Sequence, residues 1–187
     1  LLIKNYADDS DIIFQSDDGS GGVATYFFLD GSQATGGGTL FTKWGDSSYI
    51  SLGDGSDLYF FHNGTDSKMQ NATGDLVFEN YADDKDIIFK SDDGSGGVTA
   101  YLTLDGSVAK TQVSRPLLFV DNTSAEFGTD TDMLVYHSGS HGYVDNYTGN
   151  LQFINNTDDG DIIFKSDDGS GGVTAYLTLD GSNTSIN

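Results

Sequence analysis

The sequence has no cysteine, one proline (Pro116), two glutamates (Glu79, Glu126) and eight basic residues in 187. Each scarcity excludes something. Without cysteine there are no disulfides, no thiol nucleophile and no Cys-ligated zinc. Eight Lys plus Arg against 29 Asp plus Glu give a net charge of −21. So acidic a surface repels phosphate backbones and anionic lipid, so nucleic acid is excluded as a partner. The longest apolar runs, such as Leu117–Val120, are far short of the ~20 residues that span a bilayer, and no membrane insertion is expected. No leader and no initiator Met are seen, so the chain is expected to be processed or partial.

What is present points to β structure. Almost all of the acidic residues are Asp, and Gly occurs 25 times. Both favour turns over helices, while Glu, Lys and Arg, the usual residues of helix surfaces, are scarce. The apolar residues are mainly Phe, Tyr, Ile, Leu and Val, enough to fold rather than stay disordered.

Internal repetition dominates the chain. DIIFQSDDGSGGVATYFFLDGS begins at Asp11, and DIIFKSDDGSGGVTAYLTLDGS begins at Asp86 and recurs unchanged from Asp161, a spacing of 75 residues. The same offset sets Asp57-Leu58 on Asp132-Met133, His62 on His137, Asn71 on Asn146 and Thr73-Gly74 on Thr148-Gly149, with no gap. It also makes Phe119 the counterpart of Trp44. The organisation reads as unit 1 (1–75), unit 2 (76–150) and a partial unit 3 (151–187). It starts and stops inside the pattern, as a window on a longer array would.

Each unit reads as short strands between turns. In unit 2 the candidates are Asp75–Glu79, Asp86–Lys90, Val98–Leu104, Pro116–Val120 and Met133–His137, with Asp93-Gly94 and Asp105-Gly106 as turn signals. Alternation in Val98–Leu104 sets Ala100, Leu102 and Leu104 on one face and Tyr101 and Thr103 on the other. Ile87-Ile88-Phe89 and Leu117–Val120 are apolar on both faces and need cover from a second sheet or another copy of the chain. The fold class is therefore all-β: a repeat-built, elongated fibre of short strands whose units are β-prism, β-sandwich-like or β-helical. Units with so thin a core lean on neighbours, by end-to-end stacking or by winding three chains into an intertwined homotrimer.

The loops and rings each have a plain reading and a chemical one. Asp17–Gly22, with its copies Asp92–Gly97 and Asp167–Gly172, could hold calcium, but it lacks the spacing of an EF-hand and of calcium-binding β-helix repeats. A hairpin loop in which Asp caps backbone N–H groups and Gly supplies left-handed dihedrals is expected instead. Asn5–Asp11 and Asn80–Asp86 are read the same way. His62 and His137 share a repeat position and suit packing or a turn bond; His137 and His141 are four apart on a Gly-containing turn rather than a helix, a poor zinc arrangement. No nucleophile-elbow motif occurs, and acidic strings that recur at a fixed period suit scaffold better than one asymmetric active site. No catalytic, cofactor-binding or metal residue is assigned, and the chain is not expected to be an enzyme or to need a cofactor. The aromatics Tyr26–Phe28, Trp44, Tyr59–Phe61, Tyr143 and Tyr147 could stack on carbohydrate if exposed; cross-strand pairs and core are the ordinary expectation. Sequons at Asn63, Asn71, Asn122, Asn146, Asn155 and Asn183 are expected by chance in such turns.

The stretch SDLYFFHNGTDSKMQNATGDLVFENYADD (Ser56–Asp84), followed by DIIFKSDDGSGG and TAYLTLDGS, resembles repeats in tail-fibre and other virion structural proteins of marine bacteriophages, including cyanophages. Leu52-Gly53, Asp57-Leu58, His62, Asn63-Gly64, Thr73–Leu76 and Asp86–Gly97 carry the match, which covers nearly the whole chain, while Gln33–Gly45 departs from it. The resemblance implies a trimeric fibre on the virion, extracellular, that touches a host surface at its distal end. The partners implied are two further copies, other tail proteins and a host-surface glycan or protein. The rival expectations are a monomeric β-solenoid adhesin with calcium-binding Asp loops and a glycan-cleaving tail-spike segment.

Overall fold

The computed structural model describes residues 1–33 and 39–186 and contains no helix among them. The departure noted at Gln33–Gly45 lies partly outside the described residues, at 34–38. The chain divides into two units, Leu1–Ala82 and Asp83–Asn187. The first holds β1 (Ile12–Asp17), β2 (Val23–Asp30), β3 (Phe41–Lys43), β4 (Ile50–Leu52), β5 (Leu58–His62) and β6 (Ser67–Asn71). The second holds β7 (Ile87–Asp92), β8 (Val98–Asp105), β9 (Lys110–Val113), β10 (Ser124–Phe127) and β11 (Met133–His137). It continues with β12 (Gly142–Asn146), β13 (Ile162–Asp167), β14 (Val173–Asp180) and β15 (Ser185–Ile186). All pairing is antiparallel between consecutive strands, in five three-stranded meanders: β1-β2-β3, β4-β5-β6, β7-β8-β9, β10-β11-β12 and β13-β14-β15. The all-β expectation is therefore met.

The repeated SDDGSGG string makes the first hairpin of every unit. Asp93 N donates to Gly97 O at 3.0 Å, closing the loop between β7 and β8. Gly94 and Gly96 lie at φ 82° and 87°, a region costly for residues with a Cβ. The following LDGS turn is fastened to the strand start: Asp86 Oδ1 accepts from Gly106 N at 3.0 Å, and Asp11 and Asp161 accept from Gly31 and Gly181 at the same distance.

Register corrects the simple alternation. Phe89 faces Leu102 but Lys90 faces Ala100, so Tyr101 is an extra residue in β8, a bulge repeated at Tyr26 and Tyr176. The bulge puts Leu102 and Leu104 on one face with Phe89 and Ile87, and moves Ala100 to the other with Lys90 and Ile88. Tyr101 leans back along its strand and donates its hydroxyl to Asp92 O at 2.8 Å; Tyr26 and Tyr176 do the same to Asp17 O and Asp167 O.

The gapless 75-residue offset also needs correction. Lys43 pairs with Phe28, whereas Gln112 pairs with Thr103, the repeat mate of Phe28. Lys43 therefore answers to Gln112, and Trp44 to Val113 rather than Phe119. Extra residues between β2 and β3 are returned between β3 and β4, because the segment around Leu117–Val120 has no counterpart in the first unit. The two changes cancel, and the offset of 75 reappears at β4.

Two expected strands are absent. Asp75–Glu79 and Pro116–Val120 are assigned to no strand. Their composition suits strands, but among the described residues no strand pairs with them. Conversely, β9 (KTQV), β10 (SAEF) and β12 (GYVDN) form from polar edge sequences.

Candidate interaction surface

Antiparallel neighbours directly opposite each other share a face, so register sorts every sheet into two surfaces. In β7-β8-β9 one face carries Ile87, Phe89, Leu102, Leu104 and Val113; the other carries Ile88, Lys90, Ala100, Thr103 and Gln112. The β13-β14-β15 sheet repeats the apolar set as Ile162, Phe164, Leu177, Leu179 and Ile186. In β1-β2-β3 it is Ile12, Phe14, Phe27 and Leu29, joined by Trp44: Phe14 stacks on Phe27 with centroids 4.5 Å apart, and Phe27 on Trp44 at 5.3 Å. In β4-β5-β6 the apolar face is Ile50, Leu52, Leu58, Phe60 and Met69.

Among the described residues, no second sheet packs on these faces within either unit. Within each unit, strand contacts are confined to members of one sheet. Among the described residues no hydrophobic side chain is buried, and the one buried residue is Asp30, held by Lys43 at 2.7 Å. Phe89 is 47% exposed, Leu104 42% and Phe164 46%.

The acidic loops are engaged internally. Asp93 Oδ1 accepts from Ser95 N (2.8 Å), Ser95 Oγ (2.7 Å) and Gly97 N (3.1 Å), and Asp92 Oδ1 accepts from Gly94 N at 2.7 Å. Asp18 and Asp168 repeat the pattern. The loop is thus the Asp-capped turn its sequence suggests. The Ser20 amide holds the Asp18 carboxyl below the usual value; the Ser95 and Ser170 hydroxyls do so for Asp93 and Asp168. At the LDGS turns the Lys43 ammonium lowers Asp30, while Ser107 and Ser182 lower Asp105 and Asp180. In Asn5–Asp11, Asn5 Oδ1 accepts from Ala7 N and its amide donates to Asp11 O, both at 3.0 Å; Asn80 Oδ1 accepts from Ala82 N at 3.1 Å.

A carboxylate held low by native hydrogen bonds stabilises the fold above its unfolded pKa, and that contribution disappears as pH falls through its folded pKa. The variant Asp18→Ala/Asp93→Ala/Asp168→Ala is therefore expected to melt below the parent at pH 7. The gap should narrow as pH drops below the ordinary carboxylate value of 3.8 and vanish once the parent's loop carboxylates are protonated. Thermal melts of both chains from pH 7 to pH 2 check this; a gap that is constant with pH would remove the caps from the account.

His62 Nδ1 lies 3.2 Å from Ser67 Oγ, and His137 Nδ1 lies 2.8 Å from Asp121 Oδ1 and 3.1 Å from Gly139 N. Nδ1 can donate to Asp121 or accept from Gly139, one at a time. Both histidines thus make local turn bonds, and His141 sits beside Tyr143 with ring centroids 6.3 Å apart. Among the described residues no group of three or more His, Asp or Glu side chains converges as a metal site.

Most of the aromatics are cross-strand or near-neighbour pairs rather than an open platform. Tyr49 stacks on Phe61 at 4.3 Å, Tyr136 on Tyr143 at 4.8 Å, and Lys43 lies over Phe28. Tyr26, Trp44, Phe60, Tyr143 and Tyr147 nonetheless stay exposed. Burial raises the Tyr136 phenol, with the Asp145 carboxylate adding to it. Of the sequons, Asn71 and Asn146 donate their amides to the carbonyls of the Thr-Gly pair that follows, and Asn63 and Asn155 cap turns. Asn183 bonds Asp180, and Asn122 takes a positive φ of 62°.

The feature that sequence reasoning placed only in part is the apolar face: the Ile-Ile-Phe and Leu-x-Leu signals were there, but the bulge that aligns them was not. No protein-family model, no curated protein and no solved structure matches the chain.

Proposed function

We propose that the chain is a structural segment of a bacteriophage tail fibre, a homotrimeric, non-catalytic spacer that carries host attachment at the end of an array. The observation that carries the reading is the uncovered apolar face on the repeated sheets. A partner that covered that face in every unit would itself need a matching 75-residue period, and further copies of the same chain meet that condition without any second gene product. The resemblance to marine phage fibre repeats supplies the number three and the virion location. Function then resides in the array. Packed Ile, Phe and Leu strands carry load, and the acidic loops keep neighbouring rods apart.

Electron microscopy of chains carrying two, four and six units tests this. Rods of constant width that lengthen in proportion to unit number are expected; particles that grow in all dimensions would contradict the reading. Three chains together carry three times the −21 of one. Because salt screens such repulsion within about 8–10 Å, the melting temperature should rise between 10 mM and 500 mM NaCl. Melting indifferent to both salt and divalent cations would count against an assembly of acidic chains.

A further inference from the structure

We infer that Leu76–Glu79 and Leu151–Ile154 are exchanged strands: each adds to an open sheet edge of a neighbouring copy and so interlocks the assembly. The inference rests on the self-association reading above and says how the copies join.

The two segments occupy one repeat position. Neither is assigned to a helix or strand, and neither pairs with any described strand of its own chain. No backbone N–H or C=O in either segment has a hydrogen-bond partner among the described residues. Apart from Glu79 and Gln152 their side chains are apolar, and they are exposed, with Val77 at 65%, Phe78 at 54%, Phe153 at 61% and Ile154 at 68%. A mainly apolar, exposed segment with its backbone free offers half of a strand pair.

The other half is also present. Every meander has three strands, so among the described residues two edges of each sheet are unpaired. An added strand satisfies a row of main-chain groups at once and gives affinity with little dependence on side-chain identity. That agrees with the sequences, which keep apolar character but not identity: LVFE at 76–79 and LQFI at 151–154. A second copy is the favoured occupant because the chain itself carries both halves, a free segment and open sheet edges, in the same 75-residue repeat. Simple apposition of apolar faces would cover side chains but leave these backbones unpaired, and exchange removes both costs.

Amide hydrogen exchange on the assembled chain, read with its native mass, tests the inference. Successive amides of an added strand point to opposite sides, so one of Val77 and Phe78, and one of Gln152 and Phe153, should exchange about 100-fold or more slower than the amides of the Asp8 and Asp83 turns. Proline at whichever of Val77 and Phe78 is protected deletes the pairing donor and should lower the melting temperature of the assembly well beyond alanine at the same position. An assembly whose 76–79 amides all exchange as fast as turn amides, or in which neither Val77→Pro nor Phe78→Pro melts below its alanine counterpart, would overturn strand exchange and leave self-association standing. A monomeric chain would overturn both.

Discussion

Phe89→Asp is expected to abolish assembly, and with it the cooperative melting of the chain. Phe89 sits in the middle of the apolar face of β7-β8-β9, opposite Leu102 and on the same side as Ile87 and Leu104. Covering such a side chain contributes roughly 1.5–3 kcal/mol relative to leaving it in water. The aspartate forfeits that and adds the cost of burying a carboxylate without a partner, several kcal/mol in practice. In the proposed assembly every chain takes this loss, which is comparable with the typical 5–15 kcal/mol stability of a whole domain. Thr103→Lys, on the opposite and more polar face of the same sheet, is the control and should assemble as the parent does. Light scattering of the three chains checks the pair of outcomes. If Phe89→Asp assembles normally, the face assigned here is not the covered one.

Gly106→Ala should be a severely damaging single-methyl change. A Cβ on Gly106 would collide with the backbone carbonyl oxygen of Lys85, and the same clash recurs at Gly31 with Ser10 and at Gly181 with Gly160. The collision is backbone against backbone, and the Asp86–Gly106 bond holds the two segments together. A side chain cannot swing away, so the turn must move or the bond must break. A loss of about 2–4 kcal/mol per chain is expected, in the range of overpacking and broken-network mutations. Gly94→Ala gives the contrast. Its Cβ meets nothing within 4 Å, so only the left-handed dihedral is penalised, by about 1 kcal/mol. Denaturant midpoints of both variants test the ranking, and Gly94→Ala proving the worse would show that steric closure at Gly106 is not what holds the turn.

Much of this architecture is legible in the sequence, for physical reasons. Asp93-Gly94 reads as a turn because only Gly takes that dihedral without strain, and Ile87-Ile88-Phe89 reads as a strand because β-branched and aromatic side chains fit a pleated surface. The bulge at Tyr101 is invisible to period-two reasoning, since TAYLTL alternates acceptably in either register and only pairing with β7 shows the extra residue. The cancelling length changes around β3 are hidden too, because an offset is blind to an insertion that is later returned. The polar edge strands β9 and β12 carry little apolar signal, being specified by their neighbours rather than by themselves. Leu76–Glu79 fails in the opposite sense: its residues suit a strand, but no described strand pairs with it.

The central claim is that copies of this chain cover one another's apolar faces. The native mass of the protein in solution tests it most directly. A mass of three chains, unchanged on dilution, is the predicted result. A mass of one chain would contradict the claim and favour a self-contained solenoid.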